Sequence, residues 1–169
     1  LVEVEKGKVP IEYLDESVKV LPVGVTIWDL EEALQALKNQ SDSYLWIDTR
    51  PTLHYMAGSI ANSVQLFYDK DESSIPEDEN NVLTRETLLK AVEEFQKNTQ
   101  QEPAIVFFCQ GPECHRSFNV SLRAVQHWDF DPSRIIWFRA GYPALADHVM
   151  HDPKLTRRIS RYLQGHITQ

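Results

Sequence analysis

The sequence lacks long apolar runs and any surplus of positive charge. Its unbroken hydrophobic stretches, such as residues 104–109, are strand-sized and fall far short of the roughly 20 residues that a membrane-spanning helix needs. Its 169 residues include 17 basic and 25 acidic side chains, which gives a net charge of −8. The short apolar runs argue against a membrane span. Nucleic acids attract proteins rich in Lys and Arg, so the acidic balance argues against a nucleic-acid partner.

Cysteine is also scarce, and no metal-binding pattern accompanies it. The two cysteines, Cys109 and Cys114, are too few for a disulfide scaffold. With His115 they make three candidate metal ligands, whereas a structural zinc site uses four in a more regular pairing. No glycine motif typical of nucleotide binding is present. The sequence therefore predicts no metal and no cofactor, and it favours a chemical role for the cysteine pair over a structural one.

Length and composition favour a single domain with a full core. Hydrophobic residues make up 42% of the chain and charged residues 25%, as in ordinary globular domains. Residues 1–22 mix charges with scattered Val and Ile, which predicts an extended N-terminal arm. Residues 23–169 are then expected to form one domain that includes a C-terminal helix. The chain opens at Leu1 rather than Met, which is consistent with a removed signal peptide or another trimmed segment.

Strand-like and helix-like segments alternate along the chain. Thr26 and Thr84 are expected to cap helices. The alternation predicts an α/β fold in which a central, mainly parallel sheet carries helices on both faces. Ligands of such sheets bind beyond the carboxyl ends of the strands, and both Asp48 and Cys109 are predicted to lie there. The predicted strands cover residues 44–47, 63–66, 104–108 and 134–138, a polar loop covers 69–81, and the later helices cover about 116–128, 143–150 and 153–163.

Residues 109–117 form the segment that is best suited to carry chemistry. Cys109 ends a predicted core strand, and a short loop with Gly111 leads into a helix. Backbone N–H groups of such a loop, together with the helix N-terminus, create positive potential, to which His115 and Arg116 can add. These features favour a thiolate, so we expect the pKa of Cys109 to lie below the free value of about 8.5. The alternative is an inert buried cysteine.

Four stretches of the sequence resemble the rhodanese family, in the expected order. Asp48-Thr49-Arg50 resembles the Asp-x-Arg that follows an early core strand, and residues 109–117 resemble the active-site loop. Residues 55–63 are similar in spacing to the Tyr-x-x-Gly-His-Ile-Pro-Gly-Ala stretch. Residues 137–145 resemble the Leu-x-Gly-Gly-x-x-Ala-Trp segment after the last core strand. The resemblance spans about residues 23–150 and implies a rhodanese-like fold.

The resemblance implies sulfur transfer by Cys109. Its thiolate would take a sulfane sulfur from a small sulfur-containing donor, hold it as a persulfide and pass it to a thiol acceptor, which includes protein thiols. By analogy with the family, Asp48 and Arg50 would brace the loop, and Arg116 would act with Cys109. The remaining residues of the implied active-site loop are Gln110, Gly111, Pro112, Glu113, His115 and Ser117.

The loop departs from the common family pattern. Arg116 follows Cys109 by seven positions, whereas five is usual, and the loop contains the additional Cys114. It is similar to a less typical branch in which the loop leads into Ser-(aromatic)-Asn, here residues 117–119. Members of that branch are often exported and associated with bacterial oxidation pathways, which favours a periplasmic protein over a cytoplasmic one. Glu113 places negative charge where thiosulfate-using members carry positive charge, which argues against thiosulfate as the natural donor.

The sequence leaves other functions open. Cys114 could attack a persulfide or sulfenic acid on Cys109 and close a disulfide, or it could be a passive loop residue. The chain could accordingly be a thiol–disulfide or redox-sensing module, or a non-catalytic rhodanese fold that binds a protein partner. Phosphate-ester or arsenate chemistry is disfavoured, because the interval is Cys-x6-Arg and only Glu113 or His115 could serve as a general acid.

Overall fold

Five parallel strands form the central sheet of this computed structural model, which describes residues 1–165. The spatial order of these strands is β1-β6-β5-β2-β4, and β3 and β7 form a separate antiparallel pair. The strands are β1 (Thr26–Trp28), β2 (Tyr44–Asp48), β3 (Ser59–Ile60), β4 (Val64–Gln65), β5 (Ala104–Phe108), β6 (Ile135–Phe138) and β7 (Leu163–Gln164). The helices are α1 (Leu30–Lys38), α2 (Thr52–Ala57), α3 (Arg85–Thr99), α4 (His115–Gln126), α5 (Tyr142–Met150) and α6 (Pro153–Thr156).

The middle strand β5 shows why the sheet is covered on both faces. Residues along a strand alternate between the two faces, and residues 105–108 are all fully buried. Ile105 and Phe107 belong to one apolar cluster, and Val106 and Phe108 belong to the other. Helices α3 and α4 contribute to the first cluster, and α1 and α5 to the second. The predicted α/β class, with a parallel sheet between two helical layers, is confirmed.

The predicted helix cap at Thr26 is wrong. Thr26 begins strand β1, where it pairs with Ile136 of β6. The helix begins at Leu30 instead, and Asp29 caps it in a capping box with Glu32, whose side chain accepts from the Asp29 N–H at 3.3 Å. A three-residue edge strand is too short for its periodicity to be recognised in the sequence, and only its pairing with β6 reveals it.

The predicted C-terminal helix over residues 153–163 is also wrong. It breaks after the single turn of α6, and a 3-10 turn at Ile159–Arg161 follows. Strand β7 then pairs with β3, so that Leu163 lies opposite Ile60. Tyr162 is buried, and its carbonyl accepts from the Ala61 N–H at 2.9 Å. Leu155, Ile159 and Leu163 recur at the spacing of an amphipathic helix, and the tertiary contacts with β3 outweigh that pattern. Residues 166–169 lie outside the described part of the chain.

The N-terminal segment lies against helix α4. The buried Asn119 side chain pairs with both backbone groups of Val4, at 2.7 Å to the N–H and 2.8 Å to the carbonyl. The Glu3 carboxylate contacts Arg123 at 2.5 Å and also accepts from the Tyr68 hydroxyl. Arg139 donates to the carbonyls of residues 13, 15 and 18. Backbone groups of the segment are thus satisfied by side chains of the domain, while the domain boundary at residue 23 stays a prediction.

No helix among residues 1–165 combines the length and the apolar character that a membrane crossing requires.

Replacement of Asn119 should test how the N-terminal segment is held. Asn119→Ala leaves the backbone N–H and carbonyl of Val4 without their partners, so we expect a loss of about 2–3 kcal/mol in the free energy of unfolding. Urea denaturation measures this loss. Asn98→Ala, at an exposed position of α3, is the matched control and should change stability by less than about 0.5 kcal/mol. Equal stability of the two variants would show that the Asn119 contacts contribute nothing.

Candidate active site

The candidate site lies where strands β2 and β5 end side by side. Asp48 is the last residue of β2, pairs in register with Phe108, and is followed by Thr49, whose N–H and hydroxyl both donate to the Phe108 carbonyl at 3.0 and 2.9 Å. Cys109 comes next on β5 and is only 1% exposed. Parallel pairing therefore brings the two predicted site segments, residues 48–50 and 109–117, to one edge of the sheet, as expected for this fold class.

The cysteine loop is closed by a disulfide between Cys109 and Cys114, whose Cα atoms lie 6.4 Å apart. A turn makes this possible: the Cys114 N–H donates to the Gly111 carbonyl at 3.0 Å across Pro112 and Glu113. Proline is favoured at the second position of such a turn. Pro112 and Glu113 are exposed, and Cys114 is partly exposed. The possible disulfide considered from the sequence is present, so both sulfurs are oxidised in this state.

Arg50 connects the end of β2 to the cysteine loop. Its guanidinium forms a two-pronged ion pair with Asp48, with an Nη2–Oδ2 distance of 2.8 Å and an Nε–Oδ1 distance of 3.0 Å. The remaining donors bind the Gly58 carbonyl at 2.7 Å and the Gln110 side chain at 2.9 Å. Ser59 donates to the same Asp48 carboxylate at 2.7 Å. The structure thus brings together Asp48, Arg50 and Gln110.

The end of β6 supplies a second support for the loop that sequence reasoning did not place in the site. Gly141 has a φ of +83°, and a Cβ at this position would meet the Gln110–Gly111 peptide at 2.7 Å. The Tyr142 N–H donates to the Cys109 carbonyl at 2.9 Å, and the Arg50 guanidinium lies 4.6 Å from the centre of the Tyr142 ring. The sequence signal that could have placed Gly141 in the site was its position within residues 137–145, which resemble the family pattern.

Tyr142 is buried, and its hydroxyl has no hydrogen-bond partner among residues 1–165. Burial raises the pKa of Tyr142 to about 12, so the phenol is neutral at physiological pH. The Tyr142 ring therefore contributes through apolar packing and through a cation–π contact with the Arg50 guanidinium.

His115 and Arg116 are directed at Asp69. The His115 Nε2 atom lies 3.4 Å from the Asp69 carboxylate, and the Arg116 Nη2 atom lies 3.9 Å from it. The Arg116 guanidinium also lies 5.1 Å from the centre of the Phe67 ring. Burial, and after it the neighbouring Arg116 charge, lowers the pKa of His115; burial likewise lowers the pKa of Arg116. Asp69 was not predicted as a site residue, because it falls in a polar loop whose position only the fold reveals.

Ser117 is buried, whereas Glu113 is exposed to solvent. The buried Ser117 hydroxyl accepts from the Trp137 indole N–H at 3.1 Å, and the Ser117 carbonyl accepts from Ser121 at 2.7 Å. The bond from Trp137 anchors the first turn of α4 on β6. Glu113 lies at the exposed tip of the loop. Among residues 1–165, no group of three or more His, Cys, Asp or Glu side chains is placed to hold a metal ion.

This arrangement, a cysteine loop between the carboxyl end of a central parallel strand and a helix N-terminus, defines a class of α/β proteins with cysteine chemistry. The sequence profile of the rhodanese-like domain matches residues 29–148. The chain therefore belongs to the rhodanese-like domain family. Comparison with curated proteins finds no match.

Comparison with solved structures agrees with this fold. An As–Sb reductase from Leishmania major superposes with a TM-score of 0.53 at 16% identity, covering 76% of this chain and 81% of that one. The BH2092 protein from Bacillus halodurans gives 0.47 at 15% identity, with coverages of 83% and 77%. RPA3614 from Rhodopseudomonas palustris, described as a possible tyrosine phosphatase, gives 0.48 at 17%, with coverages of 73% and 81%. At 16% identity, the likeness to the As–Sb reductase concerns the fold alone.

Gly141→Ala should displace the cysteine loop. The added methyl group meets backbone atoms at 2.7 Å and sits at a positive φ, so we expect a loss of at least about 2–3 kcal/mol in the free energy of unfolding. Gly7→Ala is the matched control, since Gly7 has a φ of +73° and open space around it. That variant should lose only about 1 kcal/mol from the backbone conformation. Equal losses in urea denaturation would show that the loop accommodates a side chain at 141.

Proposed function

We propose that this protein is a rhodanese-type sulfurtransferase in which Cys109 carries the sulfur as a persulfide. The observation that supports this most directly is the place of Cys109, at the carboxyl end of the central strand β5 and at the start of the loop that leads into α4. Membership of the rhodanese-like domain family supports the same class of chemistry. The physical reason is that an anionic sulfur is stabilised by the N–H groups of such a loop and by a helix N-terminus.

The reaction has two steps once the disulfide is reduced. The Cys109 thiolate attacks the sulfane sulfur of the donor, a sulfur–sulfur bond forms at Cys109, and the donor leaves with the electron pair of its broken bond. An acceptor nucleophile then attacks the outer sulfur of the persulfide. The bond between the two sulfurs breaks, and its electron pair returns to Cys109 as a thiolate. The protein is a covalent carrier and is unchanged after one cycle.

Arg50 and Gln110 have a positioning role in this proposal. Gln110 follows Cys109 directly, and its side chain is bonded to the guanidinium that Asp48 holds in place. This bond restrains the loop at the residue next to the reacting sulfur. A carrier benefits from such restraint, because a loop that is already ordered binds the persulfide without a further ordering cost.

A thiol–disulfide redox module is the second candidate, and the Cys109–Cys114 disulfide favours it. In this reaction the two thiols lose two protons and two electrons to an external oxidant, and no sulfur atom is transferred. The two candidates use the same residues and differ in the mass of the product, so a single measurement separates them.

Intact-mass spectrometry of the reduced protein tests the proposal. After exposure to thiosulfate or to an organic persulfide, we expect Cys109 to gain one sulfur, about 32 Da, which cyanide or dithiothreitol then removes. With thiosulfate, Cys109→Ser should gain nothing, whereas Cys114→Ser, the matched control, should still form the persulfide. A loss of two hydrogens without any sulfur gain would favour the redox module. Sulfur gain from thiosulfate that survives Cys109→Ser, or an unchanged mass with every donor, would contradict the proposal.

Glu113 should tune the choice of donor. Its exposed carboxylate at the loop tip repels an anionic donor, so Glu113→Gln should raise the rate of persulfide formation from thiosulfate about two- to threefold at low ionic strength. The gain should shrink in high salt and should be absent with an uncharged organic donor. Glu94→Gln, at an exposed position of α3, is the control. An equal effect of both variants would show that only the net charge of the protein matters.

A further inference from the structure

The two cysteines of the disulfide differ in their exposure to solvent. Cys109 is 1% exposed and lies directly after a strand that is buried on both faces. Its carbonyl is bound by the Tyr142 N–H, and the following peptide lies against Gly141. Cys114 is partly exposed and closes a turn whose two central residues are exposed. An external reagent therefore meets Cys114 before it meets Cys109.

We propose that the Cys109–Cys114 disulfide is a resting state that an external dithiol opens by attacking Cys114. The proposal deepens the proposed function and rests on it only in taking Cys109 as the working sulfur. A thiolate of the dithiol attacks the Cys114 sulfur, the Cys109–Cys114 bond breaks, and Cys109 leaves as a thiolate. The second thiol of the reagent then attacks the mixed disulfide and releases Cys114. The dithiol is oxidised to a disulfide, and both cysteines are reduced.

Access determines which sulfur is attacked. Thiol–disulfide exchange requires the attacking thiolate to reach a disulfide sulfur, and its rate falls when that sulfur is covered. Attack at Cys114 also releases the sulfur that the sulfur-transfer reaction needs. Attack at Cys109 would instead place the reagent on a sulfur with almost no exposed surface and would leave the working residue blocked.

The loop geometry calls for a dithiol rather than a monothiol. After a monothiol attacks Cys114, the released Cys109 thiolate remains five positions away in a loop held by the Gly111–Cys114 turn and the Arg50–Gln110 bond. Such tethering gives Cys109 an effective concentration in the millimolar range or above, so it displaces the monothiol and restores the disulfide. A dithiol competes with Cys109, because its own second thiol is tethered to the mixed disulfide and can attack it intramolecularly.

The protein then has a defined place in a reaction sequence. A dithiol–disulfide exchange must supply the reduced form before a sulfur donor can react at Cys109. The same exchange must follow any cycle in which Cys114 attacks the inner sulfur of the persulfide, since that step expels hydrosulfide and restores the Cys109–Cys114 disulfide.

Single-cysteine variants test which sulfur is accessible. We expect the free Cys114 of Cys109→Ser to react with 4,4′-dithiodipyridine, a neutral disulfide, at least about tenfold faster than the free Cys109 of Cys114→Ser. Each rate is measured as a function of pH up to its plateau, where the thiol is fully ionised. The two plateau rates therefore compare thiolate with thiolate, and a difference in pKa does not contribute through the ionised fraction. In denaturant the two rates should become equal, and circular dichroism verifies that both variants fold. A Cys109 plateau equal to or above that of Cys114 would overturn the proposal.

Reduction of the oxidised wild-type protein tests the class of reductant. At about 0.1 mM thiol, well below the effective concentration of Cys109, dithiothreitol should reduce the disulfide fully, whereas 2-mercaptoethanol should leave most of it intact, as measured by mass after alkylation. Glutathione disulfide serves as the untethered control, which excess 2-mercaptoethanol reduces. Complete reduction of the protein by the monothiol would contradict the proposal. Neither experiment depends on sulfur transfer, so a missing persulfide on Cys109 would overturn the proposed function and leave this inference standing.

Discussion

The buried ion pair between Arg50 and Asp48 is the interaction on which the rest of the site depends. Asp48 is fully buried and Arg50 is 3% exposed, and an isolated charge in such a place would be strongly unfavourable. The pair is tolerated because each nitrogen of the guanidinium donates to an acceptor on Asp48, Gly58 or Gln110. The guanidinium that neutralises Asp48 therefore also holds Gln110 of the cysteine loop in place.

The loop is held from three directions by segments that are far apart in the chain. Arg50 acts from the end of β2, Gly141 and Tyr142 act from the end of β6, and the turn at Gly111–Cys114 acts within the loop. The basic side chains that follow the loop are directed elsewhere, since His115 and Arg116 contact Asp69. The observed contacts that hold Cys109 and its neighbour come instead from the Tyr142 N–H, which binds the Cys109 carbonyl, and from Arg50, which binds Gln110.

Much of the fold could be predicted from sequence because the central strands are buried on both faces. Residues 104–108 form a continuous apolar run that no solvent-facing element would contain. The errors fall where tertiary pairing decided the outcome. Thr26 has a residue type suited to a helix cap, yet it pairs with Ile136 in the sheet. The C-terminal segment has an amphipathic pattern, yet Leu163 pairs with Ile60. Such pairings have no local signal.

The sequence by itself determined the chemistry available to this protein: a cysteine at the end of a core strand, a second cysteine five positions on, and an Asp-x-Arg at the end of another strand. Local order and residue type carry that information. The tertiary structure alone decided that Arg50 reaches Gln110, that Gly141 lies against the loop, and that Cys109 is covered while Cys114 is accessible. The two contacts join residues about 30 and 60 positions apart in the chain, and they exist only once the sheet has brought its strand ends together.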